Sequence, residues 1–287
     1  MIDQALQAVI GLMIFLSLLA MGMELTLAGF GGALRRVRIL ALGLVVNFVA
    51  IPALMLLLVK IFAIEGPVAV GLLLCVLAPG NGVGTLLVDY ARGEVGLSVG
   101  LVLVLTFCSV VLTPILLGLW MGGNVSAAFS VTTWPMMKLI FVFQVTPLIA
   151  GMLLLRYAES YTRKIQPWVA RTARLLVLGI IAVILLTKGE VVLANGLKPI
   201  IVSLIVILAS FLLGWGMLFL TKRERASFGL TSMVRNLALA LLLGTAFFKD
   251  PSTIAAMLTY ALIMFVVAFA IAALFRRLTP AFEHAAA

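Results

Sequence analysis

Arg235 is the most unusual of the few residues in this chain that could do chemistry. It follows Arg225 by ten residues inside an apolar segment, which in a helix places it about 15 Å along the axis. A bilayer core is about 30 Å thick, so this charge would lie near its middle, at a cost of about 2.5 to 3.5 kcal/mol. Two interpretations stay open: a structural ion pair with Asp89 or bonds to backbone carbonyls, and attraction of a substrate anion.

Two polar interruptions accompany this arginine. Residues 78–85 read Ala-Pro-Gly-Asn-Gly-Val-Gly-Thr and residues 231–236 read Thr-Ser-Met-Val-Arg-Asn. Proline and glycine break helices, and broken backbone inside a membrane is tolerated only where it is buried in protein or lines a cavity. Half-helices that begin near these breaks would point amide donors at an anion. The predicted substrate-binding residues are Asn81, Gly82, Thr85, Arg235 and Asn236.

Other chemistry is sparsely represented. Proton coupling would need a titratable group, and Asp89 and Glu24 are the candidates, although each could equally be a solvated residue at a helix end. Residues 96–100 match the G-x-S-x-G pattern, but inside an apolar run and with only one histidine, His284, in the whole chain. We therefore expect no catalytic residues, no metal site, no cofactor and no enzyme activity.

The elements that position these residues are apolar spans. The chain has 287 residues, is 64% hydrophobic and has a mean hydropathy of +1.30, which excludes a soluble enzyme, a nucleic-acid binder and a disordered chain. The continuous runs are typical of membrane helices rather than β-barrel strands. The prediction is an all-α polytopic membrane protein of nine transmembrane helices, at about 5–28, 39–62, 67–91, 95–121, 134–157, 169–188, 198–220, 226–248 and 252–275.

Basic residues give the predicted orientation, because lysine and arginine collect in short cytoplasmic loops. On one side of the nine-span arrangement lie Arg35, Arg36, Arg38, Arg92, Arg156, Arg163, Lys164, Arg171, Arg174, Lys222, Arg223, Arg225, Arg276 and Arg277, and on the other only Lys60, Lys138, Lys188, Lys198 and Lys249. This predicts a plasma (inner) membrane protein with its N-terminus outside and its C-terminus in the cytoplasm. The net charge of +10 then reflects topology and lipid contact, with no nucleic-acid partner.

The two interrupted spans, third and eighth, run in opposite directions at corresponding places of two halves. This arrangement is typical of secondary transporters with inverted repeats, whose binding site lies at the midplane. Position and topology alone carry this inference, since sequence similarity between the halves is weak.

The chain resembles the bile acid:sodium symporter family. The resemblance rests on Met21 to Phe30, Asn47-Phe48 with Pro52, Ala78-Pro79-Gly80 through Ala91-Arg92-Gly93 with Leu97-Ser98, Leu112-Thr113-Pro114, and Arg235-Asn236 with Leu239-Ala240. It implies one transmembrane domain over 1–280, with a panel (about 5–28 and 134–188) that moves against a core (about 39–121 and 198–275) in which two broken helices cross. Residues 281–287 are expected to be a tail outside this domain, an expression-vector remnant.

The resemblance also marks departures at the family's sodium-site positions. After the first break, the family's Ser and Asn correspond to Gly84 and Thr85 of this chain, and in the next helix the family's Ser is kept as Ser98 while its Thr is replaced by Val102. On the second broken helix, the family's Glu, which serves both sodium sites, corresponds to Thr231, and its following Gln corresponds to Arg235. The family's Gln on the second helix corresponds to Asn47. A guanidinium 4 Å from a cation repels it by about 4 kcal/mol at an effective dielectric near 20. We therefore expect no bound sodium.

The function that these residues predict is secondary transport of an organic anion, bile-acid-like or a small carboxylate, by alternating access and without dependence on sodium. Two alternatives stay open. One is a sodium symporter whose ligands have moved to other side chains. The other is a membrane sensor that binds an anion without transporting it.

Overall fold

The computed structural model describes residues 2–24, 36–121, 133–194 and 196–284. Within these ranges every regular element is helical and there is no strand. The helices are α1 (Ile2–Gly22), α2 (Val37–Ile61), α3 (Gly66–Val76), α4 (Gly82–Tyr90), α5 (Val95–Met121), α6 (Thr133–Tyr157), α7 (Glu159–Ala194), α8 (Leu197–Trp215), α9 (Lys222–Met233), α10 (Leu237–Leu243) and α11 (Pro251–His284).

Six described helices are long and apolar enough to cross a membrane, which makes the chain an integral polytopic membrane protein. They are Val37–Ile61, Val95–Trp120, Thr133–Tyr157, Leu197–Trp215, Lys222–Phe248 and Pro251–Leu278. Two shorter apolar helices are Gly11–Gly22 and Gly66–Val76.

The predicted number of nine spans stays a prediction. The third predicted span, 67–91, is divided between α3 and α4, and the sixth, 169–188, lies inside the 36-residue helix α7. Residues 25–28 of the first predicted span, and Arg35, lie outside the described residues, as do the last three residues of the predicted tail, while α11 extends as far as His284.

Both interruptions occur at the predicted segments. Between α3 and α4, Pro79 supplies no amide hydrogen and Gly80 has a φ of +87°, a left-handed conformation that favours glycine. After α9, Val234 takes an extended conformation (φ −86°, ψ 109°) and the helix resumes at Leu237. A π-helical turn, Gly244–Phe248, continues α10.

Glycines allow several helices to approach each other at backbone distance. A Cβ added to Gly22 of α1 would lie 2.2 Å from the carbonyl oxygen of Leu148 in α6. Likewise a Cβ on Gly214 of α8 would lie 2.5 Å from the backbone nitrogen of Gly229 in α9. Small residues serve this purpose where lipid offers no hydrophobic driving force between helices. They bring α1 against α6, and α8 against α9. In addition, α1 packs on α7 and α8 packs on α11.

Candidate functional site

The two interruptions bind each other directly. The backbone N–H of Asn236 donates to the carbonyl of Ala78 (2.7 Å), and the Asn81 side chain donates through Nδ2 to the carbonyl of Arg235 (2.9 Å). The Asn236 side chain donates to the carbonyl of Gly80 (3.3 Å). Backbone groups that the broken helices cannot satisfy are therefore satisfied across the crossing, as buried polar groups require.

Each of these asparagines also caps the helix that follows it. Asn81 Oδ1 accepts from the N–H of Val83 (3.0 Å), and Asn236 Oδ1 accepts from the N–H of Leu239 (3.1 Å). Asparagine is favoured at this position because its oxygen satisfies an otherwise unpaired helix amide. One residue type thus starts both half-helices and joins them.

The first break is held from behind by α5. The hydroxyl of Thr113 donates to the carbonyl of Leu77 (2.6 Å), which explains the Leu-Thr-Pro motif in that helix. A Cβ on Gly80 would lie 2.7 Å from Thr106 Oγ1. Glycine at this position is therefore required both by its φ angle and by the closeness of α5.

A cleft of about 100 Å³ opens beside the crossing. Of the predicted substrate-binding residues, Asn81, Gly82 and Asn236 line it, whereas Thr85 and Arg235 do not. The remaining lining comes from α1, α4, α7 and α10, and comprises Ser17, Leu18, Ala20, Met21, Glu24, Val83, Leu86, Gln166, Ala170, Ala173 and Ala238. The start of α4 and the start of α10 therefore meet in one cavity.

The two predicted titratable candidates occupy different places. Glu24 lines the cleft, and its carboxylate accepts a hydrogen bond from the Gln166 side chain of α7. Asp89 lies exposed near the end of α4 and does not line the cleft. Only Glu24 is therefore placed where its charge would act directly on a ligand in the cleft.

Arg235 is almost fully buried, at 1% exposure. Its Nη1 donates to Asn47 Oδ1 (3.0 Å), and its backbone N–H donates to Met264 Sδ (3.0 Å). Arg235 and Asp89 are not among the ion pairs found in the described residues. The guanidinium is buried, whereas Asp89 lies exposed near the end of α4.

Three of the other positions predicted from the family resemblance to be former sodium-site positions, Thr85, Ser98 and Thr231, are joined to one another. Thr85 Oγ1 lies 3.1 Å from Ser98 Oγ, which lies 2.7 Å from Thr231 Oγ1, so three hydroxyls connect α4, α5 and α9. A Cβ on Gly84 would be 3.4 Å from the Cα of Thr231. Val102 is fully buried. The short side chains at positions 84 and 231 let α4 and α9 pack together.

Asn47 is placed by a local change in helix geometry. It lies in a π-helical turn, Val46–Ala50, in which the N–H of Ile51 donates to the carbonyl of Val46. Pro52 follows and has no N–H to continue the usual pattern. The Asn47 side chain donates to the carbonyl of Gly43 (2.9 Å) and to Ser232 Oγ (3.1 Å).

Several residues at the site were not predicted. Ser232 is a partner of Asn47, Gln166 a partner of Glu24, and Tyr260 of α11 a buried neighbour of Arg235. Gln144 of α6 donates to the carbonyl of Thr106 behind the first break (3.0 Å). Gln144 and Asn47 have a sequence feature in common: each is a side-chain amide a few residues before a proline, Pro147 in the case of Gln144, and each lies in a π-helical turn.

The described ranges hold no cluster of three or more His, Cys, Asp or Glu side chains that could bind a metal ion. The side-chain oxygens of Asn47, Thr85, Ser98 and Thr231, at the predicted former sodium-site positions, belong to hydroxyls and an amide that already bond one another or Arg235.

A polytopic helical membrane protein with a polar crossing of interrupted helices and an adjoining cleft has the features of a membrane transporter. The profile of the Sodium Bile acid symporter family matches residues 11–195, more than half of the chain. The chain belongs to this family, whose members are transporters and not enzymes.

Similar proteins include plant transporters. The chain is 25% identical over 254 residues to a "Probable sodium/metabolite cotransporter BASS1, chloroplastic" of Arabidopsis thaliana, which covers 85% of this chain and 60% of the relative. It is 25% identical over 201 residues to a "Probable sodium/metabolite cotransporter BASS3, chloroplastic" of Oryza sativa subsp. japonica, covering 69% of this chain and 46% of the relative. The chain thus spans about half the length of such relatives.

Proposed function

We propose that this protein is a secondary transporter that carries a small organic anion across the plasma membrane by alternating access. The observation that carries the proposal is the cleft where Asn81, Gly82 and Asn236 meet at the starts of two half-helices. Helix N-termini favour negative charge. Membership of a transporter family and the sodium/metabolite cotransporter names of the relatives support the same class of function.

The cleft volume favours a small carboxylate over a bile-acid-like molecule. About 100 Å³ is well below the roughly 300 to 1,000 Å³ of pockets that hold drug-sized ligands. A compact carboxylate needs only a few polar groups and little apolar surface. Asn81, Asn236 and the two helix starts provide this kind of surroundings.

Transport is proposed to proceed without bound sodium. Arg235 brings a buried positive charge to the former sodium-site positions, and Asn47 Oδ1, an oxygen that could ligate a cation, accepts from it instead. The role of Arg235 as a direct substrate ligand stays a prediction. A sodium symporter with relocated ligands, and a sensor that does not transport, remain the alternatives.

The architecture proposed for transport is a nine-span, inverted-repeat fold in one domain over 1–280, with the tail 281–287 outside it. A panel of α1, α6 and α7 would move against a core of α2 to α5 and α8 to α11. The tight packing of α1 on α6 and α7 supports the panel as a unit. The cleft lies between this panel and the two breaks of the core, where such a movement would open it.

Labelled-substrate counterflow tests the transport proposal. Proteoliposomes are loaded with one unlabelled anion from a set of short carboxylates and one bile acid, and entry of the same labelled anion is measured. We expect counterflow for a short carboxylate, and its loss when Asn81→Leu and Asn236→Leu remove the crossing amides. Saturable binding by thermal shift without counterflow would instead establish the sensor.

A further inference from the structure

The guanidinium of Arg235 has more hydrogen-bond donors than partners. Its Nη1 bonds Asn47, but Nε and Nη2 have no hydrogen-bond partner among the described residues. The whole side chain is 1% exposed, so bulk water does not solvate it. Unpaired buried donors are costly, and on a charged group the cost is highest.

A second unpaired donor lies beside the first. Tyr260 is 1% exposed, and its hydroxyl has no hydrogen-bond partner among the same residues. Its hydroxyl lies beside the Arg235 guanidinium and interacts with it, but this contact does not meet the geometry of a normal hydrogen bond. Tyr260 and Met264 are four residues apart on α11 and so share one face of that helix, and Met264 contacts the backbone of Arg235.

The charge of Arg235 has no counter-charge in the part of the chain that the structure describes. Asn47 is neutral, and the groups that act on the guanidinium electrostatically, Tyr260 and Cys75, are a phenol and a thiol. A buried water could fill hydrogen bonds but would leave the positive charge uncompensated. A buried charge is stabilised by an opposite charge that also completes its hydrogen bonds.

We propose that Arg235 and Tyr260 bind a small inorganic anion of halide size, such as chloride, with Nε, Nη2 and the tyrosine hydroxyl as donors. This site is separate from the substrate cleft, which neither residue lines. The anion neutralises the arginine inside the core of the protein. The inference goes beyond the proposed function and holds whichever organic substrate is carried.

Halide-dependent stability tests the proposal on the purified full-length protein in detergent. Melting temperatures are measured in mixtures of potassium chloride or bromide with potassium gluconate at constant ionic strength. We expect a saturable rise with halide, and a half-saturating concentration at least tenfold higher in Tyr260→Phe, which lacks the hydroxyl donor. Tyr161→Phe, which alters an exposed tyrosine of α7, should behave as wild type.

Equal melting temperatures in chloride and gluconate, or equal half-saturation in wild type and Tyr260→Phe, would overturn the proposal. Should Tyr260→Phe fail to fold, bromide-grown crystals of wild type decide: anomalous density within hydrogen-bond distance of Nε or Nη2 supports the site, and a water or no density there refutes it. No gradient enters these measurements, and any binding of gluconate to the cleft is common to wild type and Tyr260→Phe, so failure of the transport proposal is detected separately.

Discussion

At the scale of single residues, Asn47 connects the buried arginine to the rest of the protein. Its Oδ1 accepts from Arg235 and its Nδ2 donates to Gly43 and Ser232. An amide is suited to this place because it offers both an acceptor and a donor.

Removing this amide should destabilise the protein. Asn47→Ala leaves a further guanidinium donor and Ser232 without this partner, and we expect a loss of about 1 to 3 kcal/mol in the free energy of unfolding. Thermal unfolding in detergent measures it. The matched variant Asn47→Asp offers Arg235 a carboxylate and should melt above Asn47→Ala. An alanine variant that melts as wild type would show that the bond contributes nothing.

Glu24 is the residue through which protons should act on transport. A carboxylate in the cleft repels an anionic substrate, and protonation removes that repulsion. We expect transport to increase as the pH is lowered on the predicted cytoplasmic side, where Glu24 lies, and Glu24→Gln to be insensitive to pH. Asp89→Asn, which changes an exposed carboxylate outside the cleft, serves as the control and should keep the wild-type pH profile. An unchanged profile in Glu24→Gln would remove Glu24 from coupling.

At the scale of elements, the sequence indicates the interruptions but not their partners. Pro79, Gly80 and the polar run at 231–236 predict where the helices break, because these residues disfavour a continuous apolar helix. The reciprocal bonds of Asn81 and Asn236 depend on contacts between residues 154 and 156 positions apart. No local pattern contains such a pairing, so the crossing emerges only from the three-dimensional structure.

The burial of Arg235 was predictable and its partner was not. Depth along an apolar run gives burial, whereas the choice of Asn47 over Asp89 depends on a π-helical turn in another helix. Tyr260 was missed for a related reason. A tyrosine in an apolar helix looks like an interface anchor until α11 is seen to pack against the second break.

Gly80 gives the element-scale prediction. Gly80→Ala should lower the free energy of unfolding for two reasons. A residue with a Cβ at a positive φ costs about 1 to 2 kcal/mol, and overpacking of that Cβ against Thr106 costs about 1 to 3 kcal/mol. Gly66→Ala is the matched control, since Gly66 has a φ of +61° and nothing within 4 Å of an added Cβ. Thermal unfolding should show a larger loss for Gly80→Ala, with loss of counterflow. Equal losses of stability in Gly80→Ala and Gly66→Ala would mean that the backbone at Gly80 can move away from α5 without cost, and would contradict this prediction.

At the scale of the whole molecule, the basic residues predict the orientation. Two variants that each introduce one cysteine at an exposed position test it, Arg163→Cys near the start of α7 and Lys198→Cys in α8. The exposed ion pair of Arg163 with Glu159 is worth at most about 1 kcal/mol, so its loss should leave the fold intact. A membrane-impermeant maleimide on intact cells should label Lys198→Cys at once and Arg163→Cys only after permeabilisation. Wild type, with Cys75 buried and Cys108 half-buried, gives the background, and the reverse pattern would invert the topology.

The proposed independence from sodium would distinguish this chain from relatives whose names describe sodium/metabolite cotransporters. Two changes, Thr231→Glu and Arg235→Gln, would introduce the residues that the family resemblance leads us to expect at these two positions. Together they replace a positive charge by a negative one beside the hydroxyls of Thr85 and Ser98. A carboxylate there would supply the anionic oxygen that a sodium ion prefers.

Counterflow of the short carboxylate in sodium chloride and in potassium chloride, at equal concentrations, tests the central claim most directly. Wild type should give the same rate in both salts, and Thr231→Glu combined with Arg235→Gln should be faster in sodium. The control Thr231→Gln with Arg235→Gln should show no preference, because it lacks the carboxylate. Wild-type counterflow that requires sodium would contradict the account, since Arg235 would then not stand in for the cation.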